Sequence, residues 1–568
     1  MSNQEIAERL YDIADMLEIE GVQWEPRAYR TAAMTILTLN TDVTVFYNEG
    51  RLTELEGIGK SISKSIEEYI KTGEISKYEK LKKKYPIDFE SFRKVRGLGP
   101  KRAYLLYKKL GIKDTHSLAY AIEKHKIMSL EGFGEKSEKE LAKNLDTFLK
   151  LKENRKPLGY VIDYIENLVT SLRKNKLFER VELAGSTRRM RDTVGDFDIL
   201  AVSSNPEDAM ELFSKMKGVT NIVVKGPTKT TVDLDIGLSC DIRIVKMASF
   251  GSAMQYFTGN KDHNIKLRKI AISKGLKLNE YGIFRGTKKI AGQTEEGVYK
   301  TLGLDMMQPE LRENMGEVEA SQHHKLPKIV EYNEILGDLH THTRDSDGAN
   351  SLEDLAEYAH NLGRRYIALT NHSAGLKIAN GLDEERFRAI NKKIDSFNSK
   401  SEIMVLKGVE LEILKDGSLD LSNKILSEMD FVIGAIHQNL KMSPSDLTGR
   451  LIKAINSGRI NAIAHPTDRM IGEREALPLN FDKVFDACEK NNVLIEINGF
   501  PNRSDLPFDL VKRAKEHGGI KFSLGSDAHR LEHLKFIRLS TAIARRGWLT
   551  SKDVVNTISY KDLLKLRR

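Results

Sequence analysis

Asp196 and Asp198 stand two residues apart in the segment GSTRRMRDTVGDFDIL at positions 185–200. Side chains on a strand alternate faces, so the two carboxylates share one face while Phe197 and Ile199 are free to enter a core. Their repulsion is relieved most simply by a divalent cation. Mg2+ or Mn2+ held by paired carboxylates and substrate phosphates is the usual arrangement for phosphoryl transfer. A third carboxylate, Asp241, alternates with Cys240 and Ile242 in the apolar run CDIRIV and is expected on the neighbouring strand. Gly185 and Ser186 offer backbone N–H and hydroxyl donors to a phosphate, and Arg189 adds a planar cation. D-x-D alone also describes a solvated turn on a salt-bridged edge strand. With G-S-x-R-R ahead and D-x-R behind, metal-dependent nucleotidyl transfer is the stronger reading.

A second set of ligands lies beyond residue 335, where six of nine histidines fall at the ends of apolar runs. The runs are ILGDLHTH, YIALTNH, VLKGVELE, FVIGAIH, INAIAH, VLIEING and IKFSLGSDAH, seven candidate strands separated by helical stretches. Parallel strands alternating with helices close into a barrel whose C-terminal rim carries chemistry. That rim would present His340, His342, Asp347, His372, Glu410, His437, His465, Asp527 and His529. Such a set suits two or three Mn2+, Zn2+ or Fe2+ ions, which activate water and clamp the oxygens of a phosphoester displacement. His360, His517 and His533 fall inside helical patterns and are read as packing or surface residues.

The elements that must position these groups follow from size, charge and turn chemistry. At 568 residues the chain exceeds one core and divides into about three to five domains. Net charge is +9, and residues 51–150 hold 23 Lys and Arg against 15 Asp and Glu, which suits a polyanionic partner or a solvated helical face. Three G-x-G turns decide between these: LEGIGKSI (Gly57, Gly59), VRGLGPKR (Gly97, Gly99) and LEGFGEKS (Gly132, Gly134). In each, the apolar residue between glycines can plug a helix pair while the next helix's N-terminus presents N–H groups. Such helix-hairpin-helix elements grip one strand's phosphates without reading bases. Lys60, Lys101 and Arg102 make the first two the DNA-backbone candidates, and Glu135 makes the third the weakest. Cys240 and Cys488 are the only cysteines, against a disulfide framework. No stretch reads as a membrane span or secretory leader, so a cytoplasmic location is expected.

Taken together, RAYRTAA, LEGIGKSI, GSTRRMRDTVGDFDIL, CDIRIV, FGSAMQYFTGN and LKLNEYGIF, followed by GDLHTHT, TNHS, GVELEI, AIH, AHP and GSDAH, resemble the bacterial and archaeal family X DNA polymerases with a C-terminal polymerase-and-histidinol-phosphatase (PHP) domain. The resemblance implies a multidomain α+β and α/β chain: N-terminal helical helix-hairpin-helix domains, a polymerase beta-like nucleotidyltransferase palm, and a distorted (β/α)7 PHP barrel. It implies catalytic roles for Asp196, Asp198 and Asp241, with Asp241 helping to activate the primer 3'-hydroxyl. Ser186 and Arg189 would hold the incoming triphosphate, Tyr256, Phe257 and Gly259 flank its sugar, Asn264 faces its minor-groove edge, and Arg268 meets the template strand. Ordinary helix packing is the competing account of Asn264. The nine rim residues match PHP metal ligands in a nuclease acting on 3' ends. Two positions depart from the pattern: Ser65 stands where repair relatives carry a Schiff-base lysine, and Asn371 where the PHP motif usually has aspartate.

The expected organisation is a helical domain at 1–85, a hairpin-bearing domain at 86–152, the palm at 153–245, a nucleotide-selecting domain at 246–316, a linker at 317–335 and the PHP barrel at 336–568. The expected activity is gap-filling DNA synthesis with 3'-end processing, on gapped or primer-template DNA and deoxynucleoside triphosphates, by a monomer. Action of the barrel on another phosphoester, and a nonenzymatic end-binding scaffold, are the rival readings.

Overall fold

The computed structural model describes residues 3–566 apart from 40, 41, 94, 96, 131, 132 and 154. Gly132 of the third G-x-G turn therefore lies outside the described residues. The chain divides into two compact units, one made of 1–156, 164–187 and 194–306, the other of 157–163, 188–193 and 307–568.

The first unit begins with helices. Asn3–Ile19 carries Ile6, Leu10, Ile13 and Leu17 at helical spacing, and all four are buried. One apolar cluster runs from Ile6 to Leu145, on both sides of residue 85. The plugging residues Ile58, Leu98 and Phe133 all lie within it. Gly59 and Gly99 are the N-caps of Lys60–Thr72 and Pro100–Leu110, and neither helix has a side-chain cap. Lys60 and Lys101 are exposed beside those N-termini. Arg102 instead turns back onto the hairpins, donating to the Gly97 carbonyl at 3.1 Å and lying 5.0 Å from the Phe133 ring. Ser65 is buried, with its hydroxyl 3.4 Å from the Ser61 carbonyl.

Gly57 has φ +75°, and a Cβ there would stand 2.7 Å from Thr31 Cγ2 and 2.9 Å from the Ala32 nitrogen. Both the backbone and the space exclude a side chain. Gly57→Ala is expected to destabilise the protein by about 2 kcal/mol or more, read by denaturant unfolding against the exposed control Lys60→Ala.

A mixed five-stranded sheet follows in the order Arg180–Leu183, Asp196–Val202, Ser239–Ile244, Lys229–Leu234, Val219–Lys225. Asp196–Val202 runs parallel to Ser239–Ile244, and the other neighbours are antiparallel. Phe197, Ile199, Cys240 and Ile242 are buried, as alternation demands. The helices Phe250–Thr258 and Lys261–Ser273 and a three-stranded antiparallel sheet over 277–291 complete this unit.

In the second unit all seven expected strands form: Gly337–Thr341, Tyr366–Leu369, Met404–Glu412, Phe431–Ala435, Ala462–Ile463, Leu494–Asn498 and Phe522–Gly525, parallel and in sequence order. The first and last are joined by a parallel bridge between Thr341 and Ala528, nearly closing a barrel. Alternate residues of these strands fill separate clusters, Leu339, Ala368, Leu406 and Ile433 in one, Ile367, Val405, Val432 and Ile495 in the other. The expected linker at 317–335 is packed into this unit. Glu317 is fully buried and accepts from the Asn314 and Met315 N–H groups, and Val330 joins the barrel's core.

Candidate metal centres and their surroundings

Asp198 and Asp241 are register partners on adjacent parallel strands, with Asp196 two residues before Asp198 on the same face. The turn bearing Ser186 is tied to them: the Ala184 N–H donates to the Asp198 carbonyl at 2.9 Å. Gly185 has φ +64°, and a Cβ there would collide with Asp198 Oδ2. Lys229 Nζ lies 3.2 Å from Asp241 Oδ2.

Burial, then Asp241 and Asp196, push the Asp198 carboxyl up to about 7. The sign follows from linkage. A carboxyl whose folded pKa is raised holds its proton more tightly folded than unfolded, so stability falls as pH rises from about 4 to about 7. A cation must displace that proton. Mn2+ affinity at this site is expected to climb up to about tenfold per pH unit below about pH 7 and level off above it. The measurement is Mn2+ bound by the parent minus that bound by Asp198→Asn, and a flat difference from about pH 5.5 to 8 would contradict the shift.

The other expected nucleotide contacts are placed as follows. Arg189 Nε pairs with Glu313 Oε1 at 3.1 Å, and Arg191 reaches the same carboxylate at 3.2 Å. Tyr256 and Phe257 end the helix Phe250–Thr258 with rings edge to face at 5.0 Å, and Gly259 is its C-cap at φ +68°. Asn264 is buried, accepting from Gln255 Nε2 and donating to the Tyr256 carbonyl, both at 2.7 Å. Its amide therefore serves the helix pair. Arg268 pairs with Glu5 at 3.2 Å.

In the barrel all nine rim residues converge. Glu410, buried, is within 3.4 Å of ring nitrogens of His340, His342, His372, His437 and His465. Asp347 lies 3.4 Å from His372 and 3.3 Å from His529, and Asp527 lies 3.4 Å from His342. Three overlapping groups bring ligand atoms within 4.8 Å of one another, close enough to hold a metal ion: His342, Asp347, His372 and His529; His340, His342 and Asp527; His372, Glu410 and His437. Nδ1 of buried His465 has no hydrogen-bond partner among the described residues, and the ring nitrogens of buried His342 face carboxylates without close bonding, Asp347 at 3.7 Å and Glu410 and Asp527 at 3.4 Å. A nitrogen buried without a partner is costly unless it is a ligand, so this donor set fits metal ions. Burial, with His529 and His372 alongside, pushes His342 down to about 3, keeping it neutral as a ligand must be.

Supporting contacts had a weaker signal in the sequence. Glu496 accepts from His340 Nδ1 at 2.6 Å, Glu412 from His437 Nδ1 at 2.8 Å, and the Asp527 carbonyl faces His529 Nδ1 at 2.8 Å. Such partners fix which ring nitrogen faces the metal. The clue was an acid inside an apolar run, Glu496 in VLIEING and Glu412 in GVELE. Asn371 touches the loop before Asp347: its Oδ1 accepts from the Thr343 N–H at 2.8 Å and the Ser346 hydroxyl at 2.9 Å. The amide thus braces a ligand-bearing loop. Arg503 lines a cavity of about 340 Å3 together with Asp347, His372, Glu410, His437, His465, Asp527 and His529, and lies 2.7 Å from Asp468 and 3.5 Å from Asp527. Among the described residues no helix is long and apolar enough to cross a membrane.

Comparison with known proteins agrees with this layout. Residues 1–75 match a helix-hairpin-helix domain, 89–147 a SAM-like helix-hairpin-helix tandem, 253–313 the DNA polymerase beta thumb and 338–499 the PHP domain. The chain is 35% identical to the DNA polymerase/3'-5' exonuclease PolX of Bacillus subtilis (strain 168), over 99% of both chains. The chain belongs to the PHP-bearing family X DNA polymerases. The PHP part of this family X chain is also 32% identical to a probable phosphatase of Thermoanaerobacter sp. (strain X514), over 39% of this chain and 91% of that one. A probable phosphatase of Aliivibrio fischeri (strain ES114) is 25% identical over 39% of this chain and 90% of its own. In this family X polymerase, then, the hairpins, the thumb and the PHP barrel are each matched separately, and one relative spans them all.

Proposed function

We propose that this family X member fills gaps in DNA during repair and trims 3' ends with its PHP barrel, acting as a monomer in the cytoplasm at the nucleoid. The observation that carries the synthetic half is the register pairing of Asp198 with Asp241 beside Asp196 and the Ser186 turn. Asp196, Asp198 and Asp241 would hold Mg2+ or Mn2+, which supply alignment of the 3'-hydroxyl with the α-phosphate and neutralise departing pyrophosphate. Asp241 draws the hydroxyl proton. Ser186 binds the triphosphate, and Arg189 joins it by exchanging Glu313 for phosphate oxygens. Tyr256, Phe257 and Gly259 bound the sugar, while Arg268 reaches template on leaving Glu5. Gly57, Gly59, Lys60, Gly97, Gly99 and Lys101 grip backbone phosphates on either side of the gap, so binding weakens steeply with salt.

In the barrel, His340, His342, Asp347, His372, Glu410, His437, His465, Asp527 and His529 would hold two or three Mn2+ or Zn2+ ions, which supply a hydroxide nucleophile and oxygen clamps. Glu412 and Glu496 orient the imidazoles, and Arg503 offers a cation to the scissile phosphate.

A labelled, gapped duplex with Mn2+ tests both halves on one gel. Extension is expected with nucleotides and shortening without them; neither product would overturn the proposal. The likeness to probable phosphatases favours a second reading of the barrel, action on a small phosphoester. A phosphate-ester panel against single-stranded DNA separates the two.

A further inference from the structure

Beside the metal-ligand candidate His529 lies a group of rings that neither centre uses. Phe500 packs edge to face on His529 at 6.4 Å and on Phe536 at 5.7 Å. His533 stacks on Phe536 at 5.1 Å and 23° and accepts from the His529 N–H at 3.4 Å. Tyr160 adds the outer ring, edge to face with Phe536 at 6.4 Å.

These rings do not form a closed core. Phe500, His533 and Phe536 are only partly buried, and Tyr160 is 51% exposed. Tyr160 is also brought from far away in sequence. It sits in the segment 157–163, which belongs to the barrel's unit. Gly159 makes that placement possible, because a Cβ there would overlap Leu539 Cδ1 and Pro501 Cγ, next to Phe500. A glycine pressed onto the barrel thus delivers a half-exposed tyrosine to the end of a path, His529, Phe500, Phe536, Tyr160, that starts at the metal cluster. Arg530 is exposed on the adjoining turn.

Aromatic faces with nearby cations hold single-stranded nucleic acid by base stacking, without sequence preference. We propose that Phe500, Phe536 and Tyr160 form a stacking track that leads a single-stranded DNA 3' end into the barrel's metal cluster, binding the nucleotides that precede the terminal one. The inference rests on the exonuclease reading above and adds the strand's path to it.

The test compares the full chain with Tyr160→Ala, Phe536→Ala and Tyr160→Phe. Substrates are a decathymidylate and the p-nitrophenyl ester of thymidine 5'-monophosphate, which reaches only the cavity. For Tyr160→Ala, the ratio of kcat/KM on the decamer to that on the ester is expected to fall about fivefold or more through KM, with Tyr160→Phe restoring it. An unchanged ratio in both alanine variants would overturn the track. In parallel, a decamer carrying 5-iodouracil at the penultimate position is photo-cross-linked to the Glu410→Gln protein and the adduct is mapped by mass spectrometry. Adducts at Tyr160 or Phe536 support the track, and their absence from the whole segment counts against it. If the parent cleaves the ester but not the decamer, the exonuclease reading fails, and the cross-link alone then decides the track.

Discussion

Asp198→Asn is expected to lower primer extension by at least about 10^3-fold while leaving 3'-terminal hydrolysis intact, because cation-assisted phosphoryl transfer loses several kcal/mol when a ligating charge is removed. The amide keeps the side chain's shape beside Gly185 and removes only the charge. Stability separates this from misfolding. Asp198 is a partly buried carboxylate facing Asp241 and Asp196, so at pH above about 7 and without divalent ions the variant is expected to unfold at a higher temperature than the parent. A variant that extends primers normally would remove these carboxylates from the chemistry.

The complementary result is expected for Glu410→Gln: loss of 3'-terminal hydrolysis by at least about 10^3-fold, with extension retained. No other rim residue approaches as many imidazoles. Glu410 contacts five, and it is the negative charge that lets His340, His372 and His437 face a common point. Metal per protein molecule, measured by mass spectrometry of the dialysed variant, should fall by at least one ion, and excess Mn2+ should only partly restore activity. His360→Ala is the control, since that ring is half exposed and lies 3.8 Å from Glu402, away from the rim carboxylates. Hydrolysis undiminished in Glu410→Gln would take the barrel's cluster out of the reaction.

Much of this arrangement was legible because it is written in short-range spacing. D-x-D and D-x-R on strands fix which side chains share a face, and a strand that ends in histidine announces a rim whatever the intervening helices do. The seven runs mark all seven strands, one of them a residue short, for the same reason: buried parallel strands are short, apolar and separated by amphipathic helices. What stayed hidden depends on partners remote in the chain. Nothing near Arg189 marks Glu313, 124 residues on, as its counter-ion. Residues 317–335 look like a polar connector, yet Glu317 satisfies its charge on the Asn314 and Met315 amides and Glu331 pairs with Arg545 at 2.8 Å, which composition does not record. Tyr160 carries no local sign of the rings it meets. Asn264 shows what one residue's type leaves open, since the amide expected to face a nucleotide also bonds Gln255 and the Tyr256 carbonyl on the preceding helix.

The contact between Gly185 and Asp198 has a consequence for altering substrate choice. Because the Gly185 turn and the carboxylate strand leave no room for a side chain at position 185, they behave as one rigid jaw. Engineering for bulkier or sugar-modified triphosphates must therefore leave position 185 untouched and find its room elsewhere.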